Sequence, residues 1–117
     1  MISTCLCRAS VRLVANKQAW KDPVKRQKIE DQAVLLQGAI DGKSKLGVKM
    51  NVPRASLDQV QKSHPSFLSP TISTLVDDRY VALEVVLDEK AAREVVTSCK
   101  RLGATGIVTY PLNIIIP

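Results

Sequence analysis

Small polar residues stand beside prolines and glycines at three places in the chain: Asn51 two residues before Pro53, Ser69 and Thr71 on either side of Pro70, and the run Gly103-Ala104-Thr105-Gly106. Together such groups can do one kind of chemistry. Amides, hydroxyls and backbone N–H groups donate to a carboxylate, and amide, hydroxyl and carbonyl oxygens accept from an ammonium. Gathered at strand ends, they would serve a zwitterionic amino acid without burying a charge. The same residue types are ordinary turn formers, and spacing along the sequence leaves both readings open.

Other chemistries lack their parts. The sequence has no Gly-rich phosphate loop with its lysine, no Ser/His/Asp or Cys/His nucleophile set and no acidic metal cluster. His64 precedes Pro65 without a nameable partner to orient it as a base. Asp77 and Asp78 are adjacent, which in a strand sends side chains to opposite sides and suits a turn better than a shared site. Cys5, Cys7 and Cys99 make no framework, and with one histidine in the chain they fall short of the four ligands of structural zinc. They read as thiols of a reducing cytoplasm. No catalytic residue, metal or cofactor is assigned to this chain, and on these grounds it is not a self-sufficient enzyme.

Charge separates the two ends. Residues 1–50 hold ten Lys or Arg against four acids, and from Asn51 onward there are seven of each. The net charge of +6 therefore belongs to the first segment and argues against a nucleic-acid-binding folded domain. Trp20, Phe67, Tyr80 and Tyr110 are not spaced as stacking platforms either. No run approaches a membrane span. Arg8 and Arg12 interrupt any apolar run of secretory length, so a cytoplasmic location is expected.

The elements that must position the polar groups follow from periodicity. Asp22 and Pro23 form a helix start, an N-cap acceptor followed by a residue with no N–H to satisfy. Ile29, Ala33, Leu36 and Ile40 then fall near one face of an amphipathic helix ending around Ile40. Asp41-Gly42-Lys43-Ser44 is a polar break, so the chain is divided into an N-terminal segment, residues 1–42, and a domain, residues 43–117. Leu46, Val48, Met50 and Val52 alternate as a half-buried strand that Pro53 ends. A short helix spans residues 55–63, stopped by His64-Pro65. Strands are expected over 69–76 and 80–87, joined by a turn at 77–79, and a helix over 89–101 with Ala92, Val95, Val96 and Cys99 inward and Gly103 as its stop. Ile107 to Tyr110, with Leu112 to Ile116 after Pro111, supplies the last strand. The order is βαββαβ: an α+β, ferredoxin-like domain of four antiparallel strands with two helices on one face, preceded by a helical segment. The fold alone specifies no activity.

The stretches KMNVPRASLDQV, FLSPTISTLVDDRYVALEVVL and RLGATGIVTYPLNIIIP, in this order, resemble the C-terminal regulatory, PII-like domain of long-form ATP phosphoribosyltransferase. VRLVANKQAWKDPVKRQKIEDQAVLLQGAI resembles the segment joining that domain to the catalytic part, leaving only the first ten residues outside the resemblance. The resemblance implies a ferredoxin-like fold in a hexameric, magnesium-dependent enzyme that joins ATP to phosphoribosyl pyrophosphate in the first step of histidine biosynthesis. It implies that the C-terminal domain senses L-histidine between neighbouring copies for feedback inhibition. Carried over through NVPR, SPT and their neighbours, the histidine site would comprise Asn51, Phe67, Ser69, Thr71, Val86 and Gly106. The family's acidic pair and Thr-Gly-x-Thr phosphoribosyl-pyrophosphate loop is missing, so transfer would require catalytic lobes outside this chain. VRLVANKQAW reads as the middle of a domain, and the chain is expected to be a C-terminal fragment. The alternatives are a structural oligomerisation module that binds no ligand, and a basic nucleic-acid-binding appendage at residues 8–28.

Overall fold

The alternation of Leu46, Val48, Met50 and Val52 builds β1, Lys45–Pro53, in the computed structural model, which describes Cys7, residues 9–64 and residues 70–117. Val48, Met50 and Val52 are buried on one face, as a two-residue period requires. β1 is a central strand. It pairs antiparallel with β3, Tyr80–Asp88, on one side and with β4, Thr105–Pro111, on the other. β2, Thr71–Thr74, pairs antiparallel with the outer side of β3, giving the order β2-β3-β1-β4. With α3, Leu57–Ser63, between β1 and β2, and α4, Glu89–Arg101, between β3 and β4, this is the expected ferredoxin-like arrangement.

One core holds the domain. Val81, Leu83, Val85 and Leu87 of β3 point to the same side as the β1 set and meet Val60 of α3 and Ala92, Val95 and Cys99 of α4. Cys99 is fully buried there, and loss of water around it pushes its thiol pKa up, so it packs as a small apolar residue. α4 stops as its sequence predicts: Gly103 takes φ +92°, while Ala104 N–H donates to Cys99 O (3.0 Å) and Gly103 N–H to Lys100 O (3.2 Å).

Pro53 ends β1 and a single 3₁₀ turn, Arg54–Ser56, leads into α3. Arg54 ties this corner to the β2–β3 turn, donating from its backbone N–H to Arg79 O (2.8 Å) and from Nε to Asp78 O (3.0 Å). Within that turn Asp77 accepts from the Arg79 backbone N–H (3.0 Å) and pairs with its guanidinium (2.8 Å).

The chain divides into two compact units, Met1–Leu36 and Gln37–Pro117. In the first, Asn16 caps a short helix that the sequence pattern did not reveal, α1, Lys17–Lys21. Asp22 Oδ1 accepts from Val24 N–H (3.0 Å) at the start of α2, Pro23–Gly42, as expected. The guanidinium of Arg26 lies 4.5 Å from the Trp20 ring centroid and its Nε pairs with Glu30 (2.9 Å).

Two expectations change. The apolar stripe expected on α2 is not covered, since Leu36 and Ile40 are 52% and 62% exposed; the helix buries Gly38 and Gly42 instead. Residues 112–116 do not extend the last strand. β4 meets β1 only up to the pair Leu46–Pro111, and β1 itself begins at Lys45, after the turn at Lys43 and Ser44. Ile115 N–H donates to Gly38 O (2.9 Å) instead.

Leu83→Ala, at the centre of the core, is expected to cost about 2–5 kcal/mol in urea unfolding. Asp77 is held at a pKa of about 2, below its ordinary 3.8, first by the hydrogen bonds from Arg79. The stabilisation is complete above the ordinary value and is lost as pH falls towards the folded one. A carboxyl NMR titration is expected to place its midpoint near that low value, and Arg79→Gln to move it back up.

Candidate functional site

The helices cover one face of the sheet. The opposite face is built by the other half of each alternation: Gly47, Lys49 and Asn51 from β1, Ala82, Glu84 and Val86 from β3, Thr71 and Ser73 from β2, and Val108 and Tyr110 from β4. Register makes them neighbours. Lys49 faces Glu84 across β1 and β3, Asn51 faces Ala82, Thr71 faces Glu84, Ser73 faces Ala82, and Lys49 faces Val108 across β1 and β4.

A groove of about 360 Å³ runs over this face, lined by Lys49, Asn51, Thr71, Ser73, Glu84 and Gly106 among others. Its size falls within the usual range of small-molecule sites. At its β4 end the pairing with β1 slips between Lys49 and Asn51, and Gly106 takes φ +57° beside the slip. That left-handed conformation disfavours any side chain, and a Cβ there would stand 3.3 Å from Asn51 Nδ2. Glycine thus leaves the Asn51 amide open to the groove.

The charged groups are organised. Tyr110 Oη donates to Glu84 Oε1, and this bond raises the phenol pKa above its ordinary value. The second carboxylate oxygen, Oε2, lies 3.8 Å from Lys49 Nζ, and Lys49 Nζ lies 6.0 Å from the Tyr110 ring centroid. Tyr110 can reach from β4 over β1 to β3 because its partner on β1 is Gly47: a Cβ there would collide with ring atoms Cε2 and Cζ.

Of the six residues expected at the site, Asn51, Thr71 and Gly106 line this one groove from three strands. Val86 stands on the same face, 47% exposed, but outside the lining. Phe67 and Ser69 lie outside the described residues. Lys49, Ser73, Glu84 and Tyr110 were not singled out from the sequence. Alternation carried the signal for two of them, because Lys49 is two residues from Asn51 and Glu84 interrupts the apolar run Leu83 to Val85. A lysine and a glutamate share the groove with these polar groups, and both side chains are substantially exposed (59% and 42%).

Residues 42–114 match the model of the family described as HisG, C-terminal domain. The chain belongs to this family. The match to the HisG C-terminal domain runs from the end of α2 past β4 and includes every groove residue. Relatives named ATP phosphoribosyltransferase include proteins of Prosthecochloris aestuarii, 47% identical over 108 residues and 92% of this chain, and of Thermodesulfovibrio yellowstonii, 46% identical over all 117. The protein of Pelotomaculum thermopropionicum is 44% identical over the same full span, so the likeness extends through the first ten residues, which the motifs did not reach. The chain spans about two-fifths of the length of these relatives (37%, 40% and 40%).

Among the described residues no group of three or more His, Cys, Asp or Glu is placed to hold a metal ion. No helix among them is long and apolar enough to cross a membrane.

Gly47→Ala is expected to displace the Tyr110 ring, break its bond to Glu84 and bring the phenol pKa back down towards 10, read by NMR titration of ring-labelled tyrosine. A titration identical to that of the unaltered chain would show that the ring position does not depend on the glycine.

Proposed function

We propose that this chain is the regulatory C-terminal domain of ATP phosphoribosyltransferase and that it binds L-histidine, the end product of the pathway whose first step that enzyme catalyses. One observation carries the reading: Asn51, Thr71 and Gly106, distant in sequence, converge on a single groove whose amide, hydroxyls and open backbone suit a zwitterion. The groove is open on the side away from the helices, which fits a ligand enclosed by a second copy of the domain. ATP and phosphoribosyl pyrophosphate, with magnesium, would be handled by catalytic lobes outside this chain. Histidine would then inhibit by binding one arrangement of those lobes more tightly than another, because a ligand shifts an equilibrium only by its differential affinity.

A second reading has its own support. Val86 and Val108 are about half exposed on the groove face (47% and 55%), which suits an interface between copies that needs no ligand.

Isothermal titration of the purified chain with L-histidine, with its mass in solution measured in parallel, separates the two. Saturable heat from an oligomer is expected, with Thr71→Ala weakening it by about 1 kcal/mol, roughly fivefold in affinity. A flat titration from a folded oligomer would favour assembly without a ligand.

A further inference from the structure

The sensing reading assigns no role to the two charges in the groove. Building on that reading, we infer that Lys49 and Glu84 are the groove's zwitterion-recognising pair: Lys49 takes the ligand's α-carboxylate and Glu84 its α-ammonium, which makes the site selective for intact α-amino acids.

Four observations converge on the pair. Lys49 and Glu84 are direct cross-strand partners, and both line the groove. Their closest approach of 3.8 Å is longer than a charge-assisted hydrogen bond, and both side chains are substantially exposed (59% and 42%), so they hold each other weakly. A zwitterion laid against them head to tail would replace one loose ion pair with two charge-assisted contacts. Glu84 is also prepared for this. Tyr110 donates to Oε1, so the oxygen that meets an incoming ammonium is Oε2, held only by the loose contact with Lys49, and Gly47 is the residue that lets the tyrosine lie there. On the Glu84 side of the pair, the hydroxyl oxygens of Thr71 and Ser73 on β2 can accept further hydrogen bonds from an ammonium, and Asn51, next along β1 on the same face as Lys49, adds an amide that carries no charge of its own. Without Glu84, the described lining of this groove would offer an ammonium no anionic partner.

The test uses the purified chain titrated with L-histidine, with histamine, which lacks the carboxylate, and with 3-(imidazol-4-yl)propionate, which lacks the ammonium. Unaltered protein is expected to bind each analogue at least tenfold more weakly than L-histidine. Glu84→Gln and Lys49→Gln, each checked by urea unfolding, are expected to weaken L-histidine at least tenfold. Glu84→Gln should leave the propionate nearly unaffected, and Lys49→Gln should do the same for histamine, since the group each residue would contact is already gone. The inference is overturned if both variants bind L-histidine as the unaltered chain does. It is equally overturned if the unaltered chain does not distinguish histidine from its analogues, a result that needs no variant to fold. A thermal-shift panel of the twenty common amino acids separates the inference from the reading beneath it. A different amino acid bound by the unaltered chain and lost in both variants would uphold the charge pair and overturn histidine as the ligand; no amino acid bound at all would overturn both.

Discussion

The rest of the domain depends on β1 being hydrogen-bonded along both edges. A strand paired on two sides has most of its backbone donors and acceptors engaged, and a shift by one residue would exchange its two faces. For β1 that exchange would expel Val48, Met50 and Val52 from the core and bury Lys49 and Asn51 in their place. The hydrophobic side therefore decides which residues face outward, and the pairing of the strands sets which of those are neighbours. Lys49 lies opposite Glu84, and Asn51 beside Gly106, on the face that the three apolar residues leave outward.

The groove face is the less constrained half of the same sheet. Its residues are not held by burial, so other devices give them geometry. A missing side chain at Gly47 admits the Tyr110 ring, the ring carries a hydroxyl across β1 to Glu84, and a positive φ at Gly106 accommodates the slip in pairing beside Asn51. These features contribute little to the apolar core. Their effect is to restrict the orientation of a few polar groups on an open surface, which reduces what a ligand would lose in ordering them. Core and groove are thus separable: Leu83 faces one side and Glu84 the other, one residue apart.

Most of the architecture was legible in the residues because local and global preferences agree. Alternation in β1 and β3, the Asp22 cap, the span of α4 and the glycine that ends it each have short-range causes. The misreadings also have causes. The run Leu112 to Ile116 has the composition of a strand but no strand opposite it, and pairing is a non-local property that composition does not record. The stripe from Ile29 to Ile40 on α2 has helical spacing, yet periodicity states only which residues share a face, not whether anything covers that face. α1 is a five-residue helix set by its cap, too short to show a period.

For the candidate site, the sequence by itself determined the residue types: an amide, hydroxyls and a glycine-rich turn within reach of strand ends, in motifs specific enough to identify the family. Their chemistry is carried by single residues and survives being read one at a time. Which of them meet was decided only by tertiary structure. Thr71, Glu84, Lys49 and Val108 come from four different strands and are brought side by side by the order β2-β3-β1-β4. A charge pair between residues 35 positions apart has no local signature, because what creates it is the register of two strands, while burial on the opposite face of the sheet decides only that both residues point outward.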